Sequence, residues 1–235
     1  MKWLICAGAV LAVIAVTCGF TTIPFPGRKT GGRRIACVGD SITYGCTIPV
    51  CFWRSYPRKL GRMLGNEFCV CNFGVNDRTM QETGQKPYIR EKAWRNSRAF
   101  EPEIVILLLG SNDSKAANWV SDEHFTEQYQ RFIQSYAALP SCRKIILCTP
   151  PRVFRPAAKL FYLSNDLDID RIEHIAELVR RLALENGLSL VELYEPTLNR
   201  RDLFGMDGAH PNAAGAGFLA DRIKTAVLSE PEQRA

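Results

Sequence analysis

Glu103–Asp113 reads EIVILLLGSND. Six apolar residues, Ile104 to Leu109, follow one another with no polar face between them, which is the pattern of a strand buried on both sides. Such a strand needs cover above and below, and the rest of the chain supplies it. Arg34 to Val38, Phe68 to Phe73, Lys144 to Cys148 and Leu188 to Leu193 read as four further strands. Between them lie helical segments: Tyr56 to Leu64, with Leu60, Met63 and Leu64 on one face; Phe125 to Leu139, with Phe125, Tyr129, Phe132 and Tyr136 at 3–4 spacing; and Ile169 to Asn186, with Ile172, Ile175, Val179 and Leu182 inward. Asn212 to Leu228 closes the chain as a helix. Alternating strands and helices predict an α/β fold whose parallel sheet carries helices on both faces.

Ligands of open α/β sheets bind beyond the carboxyl ends of the strands. The residues expected there are Gly39-Asp40-Ser41, Gly74-Val75-Asn76-Asp77, Gly110-Ser111-Asn112-Asp113 and Thr149-Pro150-Pro151. Three of the four open with glycine followed by small polar residues, which suits close backbone approach to a ligand.

Ser41 in its tight turn is a candidate nucleophile, although by itself it reads first as a helix N-cap. His210, in Asp207-Gly208-Ala209-His210-Pro211-Asn212, is the candidate base, with Asp207 three residues away able either to orient it or simply to form the turn. His124 sits in a charged helix opening and His174 on an exposed helix face, so both are poorer bases. Asn112 can supply an amide to a developing oxyanion, with the N–H groups of Ser41 and Gly74 completing a three-donor hole. Alternatively it belongs to a polar turn closing the buried strand, with Asp113 capping the next segment. Gly-Asp-Ser, Gly-x-Asn-Asp and Asp-x-x-His in this order arise by chance in on the order of one in ten thousand chains of this length, which favours the catalytic reading.

In these blocks the chain resembles the SGNH (or GDSL) hydrolases. Gly39-Asp40-Ser41-Ile42-Thr43-Tyr44-Gly45 is similar to the family's first block, Asn72-Phe73-Gly74 to its second, Gly110-Ser111-Asn112-Asp113 to its third and Asp207 to Asn212 to its last. The resemblance implies a flavodoxin-like, three-layer α/β/α fold with a five-stranded parallel sheet. It also implies Ser41, Asp207 and His210 as catalytic residues, and Ser41, Gly74 and Asn112 as oxyanion donors. One departure is visible: many members carry a Ser-Gly pair after the second-block glycine, where this chain has Asn76-Asp77. Asp113 to Trp119 and Thr149 to Phe154 look most like sialate or other carbohydrate O-acetylesterases. The implied activity is removal of short acyl, chiefly acetyl, groups from a carbohydrate. A lipase or thioesterase with the same machinery is the alternative, and a non-catalytic carbohydrate-binding module is a further one. Asp77, Arg78, Trp119 and Phe154 are candidate substrate contacts; Trp119 can stack on a sugar face or simply pack at a helix start. Arg78 and Lys86 can meet an acidic sugar, and the rest of the charged stretch Gln81 to Ala99 reads as a solvated helix flank without a greasy lid.

The bulk composition agrees with one globular domain. Of 235 residues 46% are hydrophobic and 23% charged, and a net charge of +6 without an arginine-rich run predicts a solvated surface and no nucleic-acid partner. Residues 33–229 are assigned to the hydrolase domain, 21–32 to a linker and 230–235 to a tail. Residues 1–20 hold Lys2 and the apolar run Leu4 to Val16, the layout of an export signal and short for a membrane span. Arg28, Lys29, Arg33 and Arg34 leave an uncleaved membrane anchor open, and Cys18 a lipoprotein. The expectation is an exported domain, periplasmic or secreted. Among nine cysteines, Cys37, Cys69, Cys71 and Cys148 fall in apolar runs as small hydrophobes, and Cys46 and Cys51 are near enough in sequence to bridge. No Cys/His spacing suits zinc, so neither metal nor other cofactor is predicted.

Overall fold

Five strands, β1 (Arg33–Gly39), β2 (Phe68–Gly74), β3 (Ile104–Leu108), β4 (Lys144–Cys148) and β5 (Ser189–Val191), pair in parallel in the order β2-β1-β3-β4-β5. The computed structural model describes residues 32–49, 51–156 and 166–229. The export, anchor and lipoprotein readings fall on residues 1–31, outside the described residues, as does the tail. No helix among the described residues is long and apolar enough to cross a membrane.

The central strand explains its own sequence. Val105, Leu107 and Leu109 enter one hydrophobic core, while Ile104, Ile106 and Leu108 enter the other, so no position of the run meets water. Helices α4 (Lys92–Ala99), α5 (Asp122–Ala137) and α6 (Ile169–Glu185) cover the first core through Ala93, Phe125, Tyr129, Phe132, Ile175 and Val179. Helices α3 (Tyr56–Leu64) and α7 (Ala213–Leu228) cover the second through Leu60, Leu219, Ile223 and Val227. Two short helices, α1 (Ser41–Tyr44) and α2 (Cys51–Arg54), follow β1. This is the predicted three-layer, five-stranded arrangement. Cys37 and Cys148 pack in one core and Cys69 and Cys71 in the other; no disulfide joins Cys46 and Cys51.

Boundaries moved where caps decide them. The helix expected from Phe125 begins at Asp122, because the Ser121 hydroxyl accepts from the His124 N–H. The last helix starts after Asn212, whose side chain accepts from Ala214 and Gly215. The stretch Gln81 to Ala99 is not one solvated flank. Only Lys92–Ala99 is α-helical, while Gln81, Tyr88 and Ser97 are buried. Scattered charges hide these anchors in the sequence: the Tyr88 ring enters the core and its hydroxyl donates to the Phe73 carbonyl at 2.6 Å. Tyr88→Phe removes one buried hydrogen bond to that carbonyl, so it is expected to lower unfolding free energy by about 1 kcal/mol. Urea unfolding measures this, and an unchanged midpoint would contradict it.

Candidate active site

The strand order reverses direction between β1 and β3, so the loops after these two strands diverge and leave a crevice at the sheet's carboxyl edge. Ser41 follows β1 and Asn112 follows β3. A cleft of about 320 Å³ opens there, lined by Ser41, Asn76, Asp77, Asn112, Lys115 and His210, with Ile42, Cys46, Val153, Leu167 and Ala209 as its less polar wall.

Ser41 is the first residue of α1, and the cap belongs to its neighbour: Asp40 Oδ1 accepts from the Ile42 N–H at 2.9 Å. The Ser41 hydroxyl is therefore free for another partner, and His210 Nε2 lies 2.9 Å from its Oγ. On the far side of the imidazole, Nδ1 lies 2.6 Å from Asp207 Oδ2. A carboxylate can only accept, which puts the ring proton on Nδ1 and leaves Nε2 to accept from Ser41. Asp207 fills both roles open to it, because its Oδ1 also accepts from the Ala209 and His210 N–H groups at 3.1 Å each and shapes the turn. Burial raises the Asp207 pKa, but the hydrogen bond and charge of His210 outweigh it and hold the group below its ordinary value.

Asn112 Nδ2 donates to the Arg78 carbonyl at 3.1 Å and makes a longer, 3.4 Å contact to Asp40 Oδ2. Its own carbonyl accepts from Asn118 Nδ2. Asp113 does not cap the next segment. It reaches back to the loop after β2 and accepts from Met80 and Gln81 N–H, each at 2.8 Å, which braces two site loops against each other.

Gly74 is placed differently from the oxyanion reading. Its N–H donates to Asn72 Oδ1 at 2.8 Å, and it does not line the cleft. A Cβ there would sit 2.2 Å from the Tyr44 nitrogen, so what this position needs is close packing against α1. The loop reaches the cleft two and three residues later, at Asn76 and Asp77. Asp77 stands in the left-handed region, φ 63°, a conformation that usually selects glycine. Among the described residues nothing accepts from the N–H groups of Ser41 or Asp77. The signal was in the sequence: Asn76-Asp77 occupies the place of the resembled family's Ser-Gly pair.

The other candidate contacts lie off the cleft. Arg78 binds Glu91 at 2.8 Å and the Asn76 carbonyl at 2.7 Å, strapping its own loop. Trp119 packs beside Phe125, with its ring centroid 5.6 Å away, and under the Arg171 guanidinium. Phe154 lies against Phe204, and its N–H donates to the Gly208 carbonyl at 2.8 Å, which pins the turn carrying His210. His124 bonds Thr83 and Gln128, and His174 bonds Asp122; neither reaches Ser41. Val153 and Leu167 line the cleft without having stood out in the sequence, as do Lys115 and Cys46, neither of which was read there as a cleft residue.

Comparison with known proteins follows this geometry. Residues 37–217 match the GDSL-like lipase/acylhydrolase family. An acetylxylan esterase of Xylanibacter ruminicola is 35% identical over 219 residues, 86% of this chain; the chain spans 44% of that relative's length. A carbohydrate acetylesterase family member from Sinorhizobium meliloti superposes with a TM-score of 0.67 at 19% identity, covering 83% of this chain and 97% of that one. A lipase/acylhydrolase from Enterococcus faecalis gives 0.63 at 22% identity, covering 86% and 100%. These two share the fold. The chain belongs to the GDSL-like lipase/acylhydrolase family.

Two buried carboxyls lie beneath the cleft. Burial pushes Asp40 up to about 7 despite its bond from Ile42, and Asp113 up to about 6 despite its bonds from Gln81 and Met80. In the unfolded chain both return to about 4. Between those limits the folded protein holds more protons than the unfolded one, so stability falls as pH rises from about 4 to about 7. Asp207 works the opposite way, but at lower pH: its contribution is present above its ordinary range and is lost as pH falls through its depressed value. Asp40→Asn is expected to flatten the decline, read as urea midpoints across that window; a slope unchanged from wild type would contradict the assignment.

Proposed function

We propose that this member of the GDSL-like lipase/acylhydrolase family removes short acyl groups, chiefly acetyl, from a carbohydrate through an acyl-Ser41 intermediate. The observation that carries the reading is the continuous chain Asp207–His210–Ser41, with contacts of 2.6 and 2.9 Å, ending at a small cleft. In the first step Ser41 Oγ attacks the ester carbonyl carbon as its proton passes to His210 Nε2. The Asp207 carboxylate stabilises the imidazolium that forms. The bond to the sugar oxygen then breaks, and the proton on Nε2 goes to that oxygen, releasing the alcohol. In the second step His210 takes a proton from water as it attacks the acetyl-serine; the proton passes to Ser41 Oγ as its bond to the acyl carbon breaks, and acetic acid leaves, ionising in solvent.

Negative charge on the tetrahedral intermediate needs donors already in place. The Ser41 N–H at the start of α1 and the Asn112 amide suit this task. The long contact from Asn112 to Asp40 is the one an oxyanion would replace. For the third donor the Asp77 N–H fits better than Gly74, whose N–H is engaged within its own loop. The cleft volume, at the low end of the roughly 300–1,000 Å³ usual for ligand pockets, supports a short acyl group. The acetylxylan esterase relative supports a sugar ester. The apolar side formed by Ile42, Val153 and Leu167 favours one second reading, an acyl hydrolase for longer chains. Export rests on the apolar run Leu4 to Val16, which supports a polymeric substrate outside the cell.

Ser41→Ala is expected to lower hydrolysis of p-nitrophenyl acetate by about a thousandfold or more while the far-ultraviolet spectrum stays unchanged; full activity would end the proposal. Across p-nitrophenyl esters of increasing chain length, kcat/KM is expected to peak at acetyl and fall at least about tenfold by octanoyl. A maximum at octanoyl would instead establish the second reading.

A further inference from the structure

Beside Ser41 the cleft wall carries a compact set of opposite charges. Lys115 Nζ donates to Asp77 Oδ1 at 2.9 Å and stands 3.5 Å from Asp166 Oδ1, while Lys86 Nζ donates to Asp77 Oδ2 at 2.5 Å. Asp77, Lys115 and Asp166 all line the cleft with Ser41 and His210. The Lys115 side chain is only 14% exposed and that of Asp77 40%, so the pair is held on the wall but open on the cleft side.

We propose that Asp77 and Lys115 form a recognition subsite for the neutral, vicinal hydroxyls of the sugar whose ester sits at Ser41. This inference rests on the ester-hydrolase reading and adds the substrate class. Three observations carry it. First, Asp77 keeps its side chain in a left-handed backbone conformation, which strains a non-glycine residue and would not strain glycine. That strain is borne at a position facing the cleft. Second, the charges cancel: two carboxylates face two ammonium groups, so an anionic sugar gains no net attraction. Such a sugar would have to displace Asp77 from Lys115 to find a cation. Third, an ion pair fixed at hydrogen-bond distance has one strong acceptor and one strong donor side by side, at about the spacing of adjacent ring hydroxyls. One hydroxyl can donate to Asp77 while its neighbour accepts from Lys115, with the pair left intact. The basic side chains that would serve an acidic sugar are committed elsewhere, Arg78 to Glu91 and Lys86 to Asp77. The Asp77 carboxyl is ionised at neutral pH, since the bonds from Lys86 and Lys115 outweigh the effect of burial and hold it below the ordinary value.

The test compares three acetyl esters: acetylated xylobiose as the neutral sugar, O-acetylated N-acetylneuraminic acid as the anionic one, and p-nitrophenyl acetate with no sugar. Wild type is expected to favour the neutral over the anionic sugar in kcat/KM by at least about tenfold. Lys115→Met and Asp77→Asn are each expected to lower the ratio of kcat/KM on acetylated xylobiose to that on p-nitrophenyl acetate by about tenfold, mainly through KM, which is the loss of one charge-assisted hydrogen bond. Asp77→Gly, which removes the carboxylate and relieves the left-handed strain, guards against misfolding and should give the same fall in ratio with at least wild-type stability. The subsite is overturned if the ratio stays within about twofold of wild type in all three variants, or if wild type favours the anionic ester. Wild type without activity on p-nitrophenyl acetate would instead overturn the ester-hydrolase reading itself.

Discussion

One hydrogen bond joins the two ends of the domain: the Ser41 hydroxyl donates to His210 Nε2 at 2.9 Å across 169 residues of sequence. Neither residue can be brought there by local structure. Ser41 is fixed by β1, whose Ile35 and Cys37 face one core and whose Ala36 and Val38 face the other, so the strand cannot slide without exposing apolar side chains. His210 is fixed by the Asp207 turn and by the backbone bond from Phe154 to Gly208, which ties that turn to the loop after β4. The bond is thus the point at which the register of the whole sheet is read out as chemistry. A slip of one residue in β1 would turn its side chains to the opposite faces and carry Ser41 away from His210.

Around that bond the loops hold one another. Asp113 binds Met80 and Gln81, Asn112 binds the Arg78 carbonyl, Asn118 binds Asn112, and Tyr88 binds Phe73. All but the Asn118–Asn112 bond, which braces the loop after β3 internally, link the loop after β2 to either the loop after β3 or the end of β2. Buried polar groups of this kind stabilise only when all are satisfied together, so the set fixes one loop arrangement rather than several. A cleft built this way keeps its donors at fixed positions, which is what stabilising a transient negative charge requires.

The layers of the fold were legible because they rest on periodicity. Ile104 to Leu109 could only be a doubly buried strand, and the spacing of Phe125, Tyr129, Phe132 and Tyr136 could only pack as one helical face. Ser41, Asp207 and His210 were legible because short motifs, one at the end of β1 and one just before α7, carry their own geometry. What stayed hidden depends on φ and on single buried anchors. Nothing in the local composition says that Gly74 turns its N–H to Asn72 and that Asp77 takes the left-handed position beside the cleft. Lys115 and Asp166 meet across 51 positions through tertiary placement alone. Trp119 was open to two readings, and the packing against Phe125 and Arg171 decides where its ring lies.

The proposed reaction requires that Ser41 be the group activated by His210. A fluorophosphonate reacts with a serine hydroxyl only where a base and an oxyanion site assist it. After treating the protein with such a probe, peptide mapping by mass spectrometry gives the modified position directly. Near-stoichiometric labelling of Ser41 is expected, abolished by His210→Ala, with esterase activity lost in step with labelling. Labelling at another residue, or hydrolysis that persists while Ser41 is fully modified, would contradict it.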